Sequence, residues 1–174
     1  MLKLIKREES YVNGYKEYCK EFYDNKVTYF CPTNPKSIDE NWYQRSKEWY
    51  DKKELGQLEG QPKTLHFWAV DGNRFIGEFQ LRTELTEDIM NGIGSIGYSV
   101  RITEQRKGYG QKILKQGLDI AKKNGLDKVL LNINELNEQS IYVVEKLGGK
   151  LMDKIQSYNK AEGNHLMRRY WIYL

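Results

Sequence analysis

The chain has 174 residues, with 28 Lys and Arg against 24 Asp and Glu, a net charge of +4, and 39% hydrophobic and 13% aromatic residues. That length suits one domain spanning residues 1–174 and leaves little room for a second, and Tyr and Trp add apolar area that a count of aliphatics misses, so one sizeable core is expected. Charges of both signs are interleaved rather than gathered on one stripe, which argues against a nucleic-acid partner; no apolar run reaches membrane-spanning length, and MLKLIKREES is too short and too charged for an export signal, so a soluble cytoplasmic protein is expected.

Residues 2–6 (LKLIK) alternate and read as a first strand. Residues 8–24 read as a helix in which Gly14 is a poor former, and residues 25–36, with Pro32 and Pro35, read as loop. Ser37-Ile38-Asp39-Glu40 has the form of a capping box opening a helix to about Leu55, with Trp42, Trp49 and Tyr50 among its large side chains. Residues 56–63 read as a linker and 65–70 (LHFWAV) as a strand. Asp71-Gly72-Asn73 is hairpin-turn chemistry, and residues 74–85 return as a longer strand with Gly77 inside it. Residues 86–95 read as loop and 96–102 (IGYSVRI) as a strand. A glycine turn then opens a helix over 108–124, stopped by Asn124-Gly125. A strand over 127–133, a helix over 137–147 ended by Gly148-Gly149, and strands over 150–157 and 166–173 around the polar loop NKAEGN complete the chain. This order predicts an α/β (α+β) fold: a mixed sheet with helices on its faces.

Cys19 and Cys31 lack metal or redox spacing and read as reduced thiols, one in a helix and one in a loop. His66 and His165 stand far apart without spaced partner ligands, so neither a metal site nor a catalytic triad is expected. The aromatic residues between 15 and 50 suit the core packing of two amphipathic helices, and as a group they mark where an acceptor pocket would select its substrate.

Gln105-Arg106-Lys107-Gly108-Tyr109-Gly110 follows a strand and opens a helix. Two glycines there let backbone N–H groups converge, and the first helical turn adds unpaired donors and the positive end of the dipole. That chemistry suits a pyrophosphate, with Arg106 and Lys107 adding charge at the rim; an ordinary tight turn capping a helix reads equally well from spacing alone. The Walker pattern fails because, counted from Gly108, Ile113 and Leu114 stand where its second Gly and its Lys are needed, and Ile113 also stands where the third Gly of the dinucleotide fingerprint would be.

The stretch GYSVRITEQRKGYGQKIL, followed by NELNEQSIYVVEKLGGKL, resembles the GNAT family of N-acetyltransferases. Gln105, Gly108 and Gly110 match that family's Gln/Arg-x-x-Gly-x-Gly/Ala signature, and Asn137, Ser140, Lys146 and Gly148 match its next helix. The closing RRYWIYL is similar to the last strand of bacterial members, and the likeness covers about residues 65–174.

The resemblance implies a mostly antiparallel central sheet of about seven strands, with acetyl-CoA lying where the parallel strands 96–102 and 127–133 splay apart. The main chain of Ser99, Val100 and Arg101 would pair with the pantetheine amides as an added strand would. Gln105, Arg106, Lys107, Gly108, Tyr109, Gly110 and Gln111 would hold the pyrophosphate, Asn137 the pantetheine arm, and Ser140 would lie near it. The implied reaction is direct attack of a primary amine on the thioester, with the N–H of Val100 a candidate donor to the developing oxyanion. Glu78 and Glu84 are candidate general bases and Glu135 a weaker third; each also reads as a solvent-facing residue. Many family members carry a Tyr as acid to the thiolate where this chain has Val144, and Tyr142 lies about 200° round the helix from that face. Another group, water or no acid at all would then serve, and a non-catalytic acyl-CoA sensor of the same fold is the alternative. The resemblance leaves open a small-molecule or a peptide amine as acceptor, and a monomer or a homodimer.

Overall fold

The computed structural model describes residues 1–27, 32–159 and 163–174, so Cys31 and the centre of the NKAEGN loop lie outside the described residues. In chain order the elements are β1 (Leu2–Ile5), α1 (Val12–Asp24), α2 (Trp42–Glu54), β2 (Thr64–Asp71), β3 (Arg74–Arg82), α3 (Glu87–Asn91), β4 (Ile96–Val100), α4 (Tyr109–Lys123), β5 (Lys128–Asn134), α5 (Glu138–Lys146), β6 (Lys150–Asn159) and β7 (Gly163–Tyr173). The fold is mixed α/β, with antiparallel strand pairs flanked by helices.

The expected sheet is divided. One sheet has the order β1-β2-β3-β4 and the other β5-β7-β6. They meet where the Ser95 N–H donates to the Leu130 carbonyl at 2.7 Å and the Leu130 N–H donates to Ser95 Oγ at 3.1 Å. Among the described residues no ladder joins β4 to β5 beyond that point, so one edge of β4 runs on unpaired.

Period-two alternation sorts the first sheet onto two cores. His66, Trp68 and Val70 of β2 face α1 and α2, where Trp68 packs with Tyr15, Phe22, Trp42 and Phe75. Ala69 of β2 and Phe79 and Leu81 of β3 face α4, packing with Ile113, Leu114 and the β5 residues Val129 and Leu131. A register shift between Ala69 and Val70 leaves Ile76 as the extra residue of β3. Gly117 of α4 is where the helix comes closest to the sheet: a Cβ there would sit 2.1 Å from Phe79 Cε2.

Two local expectations change. The capping box at 37–40 does not form: Asn34 accepts from the Lys36 N–H at 3.0 Å and Ser37 Oγ donates to the Asn34 carbonyl at 2.8 Å, tying both into a 3₁₀ turn begun by Pro35. α2 starts later, at Trp42, with Asn41 giving no side-chain cap. The 86–95 loop contains α3, because Thr86 Oγ1 accepts from the Ile89 N–H and caps it.

Candidate active site

The unpaired edge of β4 carries alternating main-chain groups. Arg101 donates its N–H to the Ile76 carbonyl at 2.8 Å and Arg82 donates its N–H to the Ser95 carbonyl at 2.8 Å. Ser95 spends its carbonyl on β3 and its N–H on Leu130, residues 97, 99 and 101 turn their N–H groups toward β3, and Tyr98 and Val100 turn theirs toward the gap. The Val100 carbonyl is already taken by Gln105 Nε2 at 3.3 Å, which fixes the start of the turn and leaves the Val100 N–H facing outward.

The turn itself has two left-handed residues, Arg106 at φ 62° and Gly108 at φ 78°. Gly108 is the N-cap of α4 and no side chain caps the helix, so the first-turn donors of Tyr109, Gly110 and Gln111 are unclaimed by a cap. A Cβ at Gly108 would meet nothing within 4 Å, so the space in front of the helix is open. Lys107 Nζ pairs with Glu104 at 3.2 Å, and Glu104 also accepts from Arg74 at 3.1 Å. The Tyr109 hydroxyl donates to Asp71 at 2.8 Å and accepts from Arg74 at 3.0 Å, so its side chain braces the turn against the β2–β3 hairpin.

The α5 end of the gap is built by Asn137, whose side chain accepts from the Ser140 N–H at 3.1 Å and caps that helix. The Tyr98 ring lies across the mouth, 3.6 Å from where a Cβ of Gly110 would be. Val144 is fully buried against Gly149, while Tyr142 is 62% exposed.

On the opposite face of β3 and β4 lies a buried ionic cluster. Glu78 is paired in register with Ser99. Tyr18 Oη lies 2.7 Å from Ser99 Oγ and donates to Glu78 at 3.4 Å. Arg7 reaches Glu78 at 3.5 Å, donates to Ser46 at 2.8 Å and lies 3.7 Å over the Tyr50 ring. His66 Nε2 is 3.2 Å from Glu78 Oε1, although neither ring nitrogen makes a hydrogen bond. Burial opposes ionisation of Glu78, but His66 and Arg7 outweigh it and hold the carboxyl below its ordinary value. His66 is itself driven down by burial against the pull of Glu78. These two tendencies conflict, because His66 lowers Glu78 only when protonated. Arg7 is the permanent cation, so a Glu78 carboxylate on Arg7 with neutral His66 beside it is the consistent state.

Because its folded pKa is lowered, His66 contributes full stability above its unfolded pKa of about 6.5, and that contribution is lost as pH falls toward the folded value. Urea unfolding should show stability declining as pH drops below about 6.5, and His66→Gln should flatten that decline. Glu78, also lowered, adds its loss only below about 4.3, so its onset lies below that of His66. An unchanged slope in the variant would remove His66 as the source.

A family model for the acetyltransferase (GNAT) domain matches residues 13–150. The chain belongs to the GNAT acetyltransferase family. No curated protein matches it in sequence. Among solved structures it is similar to RimL, a ribosomal L7/L12 α-N-protein acetyltransferase in complex with coenzyme A, at 11% identity and a TM-score of 0.74, over 99% of this chain and 94% of that one. It is similar to the microcin C7 self-immunity acetyltransferase MccE, in complex with acetyl-CoA and AMP, at 13% identity and a TM-score of 0.73, over 99% of this chain and 92% of that one. A spermidine N-acetyltransferase SpeG chimera from Vibrio cholerae and hSSAT gives 16% identity and a TM-score of 0.67, over 99% of this chain and 95% of that one. At identities this low, the likeness shows a shared fold alone.

Within this GNAT fold, Val100, Gln105, the turn to Gln111, Asn137 and Ser140 are gathered round the gap. Ser99 and Arg101 commit their main chain to β3; the Arg101 side chain ties β4 to α1 through Glu21 at 2.5 Å. Glu84 is exposed beyond the end of β3, and Glu135 bridges Arg168 and Lys154 beside β7 and β6, away from Glu78. Among the described residues no group of three or more His, Cys, Asp or Glu is placed to hold a metal, and no helix is long and apolar enough to cross a membrane. Sequence reasoning did not single out Arg7 or Tyr98, took Tyr18 only as one of the aromatic residues between 15 and 50, and set His66 aside as a metal or triad residue. The sequence signal for His66 pointed to the wrong face: counted from the hairpin turn at 71–73, Phe67 would stand opposite Glu78, and only the extra residue Ile76 brings Trp68 there and His66 onto the same face as Glu78.

Proposed function

We propose that residues 1–174 form one N-acetyltransferase domain that moves an acetyl group from acetyl-CoA to a primary amine of a small molecule or peptide, in the cytoplasm and without a metal. The observation that carries this reading is the free edge of β4 running directly into the uncapped N-terminus of α4. Extended amides need an unpaired strand edge and phosphates need clustered N–H donors, and here the two are contiguous. We assign the pantetheine contacts to the edge-facing main chain of Tyr98 and Val100 and to Asn137 and Ser140, and the pyrophosphate to the turn from Gln105 to Gln111.

The acceptor amine would approach from the α1–α2 face. Its nitrogen attacks the thioester carbon, the Val100 N–H donates to the developing oxyanion, and the C–S bond breaks. Glu78 is favoured over Glu84 as the group taking the amine's proton, because it is a buried carboxylate on the α1–α2 face, in register with Ser99 of β4, whereas Glu84 is exposed past the end of β3.

Glu78→Gln keeps the size and loses the charge. Acetyl transfer to the best amine of a panel of polyamines, amino acids and peptides should fall by about 10²-fold or more in kcat, with acetyl-CoA affinity unchanged. Because Arg7 would be left buried and unpaired, stability should drop by about 3 kcal/mol, so turnover is to be measured well below the melting temperature. Turnover within twofold of wild type would remove Glu78 from the chemistry.

The burial of Val144 favours a second reading, an acyl-CoA sensor without turnover, since no hydroxyl is presented from that position. Acetyl-CoA binding with no thiol release across the whole amine panel would support it.

A further inference from the structure

Among the described residues the Tyr98 hydroxyl is the only buried hydroxyl that makes no hydrogen bond. Such a group needs an explanation, because an unmade hydrogen bond in the interior is costly. Its position supplies one. Tyr98 sits on the unpaired edge of β4, its ring rests against Gly110 at the start of α4, and Ser140 in the first turn of α5 is its polar neighbour. The phenol therefore stands on the α4 side of β4, between the first turns of α4 and α5 and beside the residues assigned above to the pantetheine arm, with Ser140 as its polar neighbour.

The other hydroxyl and apolar groups nearby do not compete for that role. Val144, one turn beyond Ser140 on α5, is apolar and fully buried, and the Tyr142 phenol is turned to solvent. The Tyr109 phenol is spent on Asp71. Burial raises the Tyr98 pKa, and Ser140 offsets this only in part, so the phenol keeps its proton at neutral pH and is a donor rather than a base.

We propose that Tyr98 is the proton donor to the thiolate released when the thioester is cleaved. This rests on the acetyl-CoA reading above. As the amine nitrogen forms its bond to the acyl carbon, the C–S bond breaks and the sulfur takes the Tyr98 proton. The proton shed by the amine passes to Glu78 and on to solvent, and solvent reprotonates the phenolate. The net change is amine and thioester to amide and thiol.

The test is calorimetric and needs no acceptor. Coenzyme A and desulfo-coenzyme A, which lacks the thiol, are titrated into wild type and Tyr98→Phe at about pH 9, where a phenol donor can draw the bound thiol into its thiolate form. Phe keeps the ring against Gly110 and removes only the hydroxyl. Wild type should prefer coenzyme A over desulfo-coenzyme A by about tenfold, as a charge-assisted hydrogen bond to the thiolate requires. Tyr98→Phe should lose that preference while its desulfo-coenzyme A affinity stays at the wild-type value. An equal preference in both proteins would overturn the assignment. So would a parallel loss of both ligands, which marks Tyr98 as merely structural. Failure of wild type to bind either ligand would instead sink the acetyl-CoA reading itself, so the two failures are distinguishable.

Discussion

Gly108→Asp is expected to weaken acetyl-CoA binding by about 100-fold while leaving the fold almost as stable as wild type. The new carboxylate would stand at the N-cap of α4, where the proposed pyrophosphate meets the first-turn donors. Two like charges about 5 Å apart repel by roughly 3 kcal/mol at the effective dielectric of a protein surface, and each 1.4 kcal/mol is about tenfold in affinity. Stability should be spared because a Cβ there meets nothing within 4 Å. Asp also tolerates the left-handed conformation that Gly108 adopts at φ 78° better than most residues. Titration calorimetry with acetyl-CoA, beside a thermal melt, reads both quantities. Gly108→Ala is the control: it should cost about 1 kcal/mol of stability through the positive φ and weaken binding by less than about tenfold, because it adds no charge. Equal binding by wild type and the Asp variant would return the turn to a plain helix start.

Gly77→Ala is expected to lower stability by about 3–5 kcal/mol, a large share of what an ordinary domain possesses. A Cβ on Gly77 would lie 2.0 Å from the Ser99 carbonyl oxygen, 2.9 Å from its carbon and 3.1 Å from Val100 Cα. All three are main-chain atoms, so no side chain can swing aside. β4 would have to leave its register with β3, and the free edge at Val100 would move with it. The urea midpoint should therefore fall sharply, and coenzyme A binding should be lost even where the variant remains folded. Gly110→Ala offers the contrast: its Cβ would make ordinary contacts, 3.6 Å from Tyr98 Cε2 and 3.9 Å from Val100 Cγ2. That variant should be as stable as wild type or better by about 0.5–1 kcal/mol, since Ala outranks Gly within a helix. If both alanines behaved alike, the close approach of Gly77 to Ser99 would not be what holds β4 in place.

Much of the fold was legible because each element carried its own local signal. The Asp71-Gly72-Asn73 turn joins β2 and β3 where expected, and α4 starts at Tyr109 directly behind Gly108. The glycine turn was legible as a turn that opens a helix, because two glycines at that spacing permit the left-handed start seen at Gly108, while spacing alone left a phosphate site and a plain helix start equal. Where local signals competed, the reading failed: Pro35 and Asn34 drew Ser37 into a 3₁₀ turn, and the capping box with Glu40 never formed. α3 was hidden because a five-residue helix held by one Thr86 cap has too few periods to show in the sequence.

The candidate acceptor site was far less legible, because its parts are distant along the chain. Arg7 and Glu78 are 71 residues apart and Tyr18 and Ser99 81 apart, yet they share one buried cluster. Glu78 read more readily as a solvent-facing strand residue, since strand alternation says that two residues share a face but not which face is covered. Only the packing of α1 and α2 over that face buries it, and only Arg7, threaded among Tyr15, Trp42, Tyr50 and Trp68, makes a buried carboxylate tolerable there. The sequence by itself determined the glycine turn, the order of elements and the family, because those reside in neighbouring residues whose geometry is local. The tertiary structure decided that the sheet parts after Ser95, that the edges of Tyr98 and Val100 are free, and that the Tyr98 hydroxyl is buried without a partner. These depend on which surfaces meet, and close packing between distant segments sets that, not the pattern within any one of them.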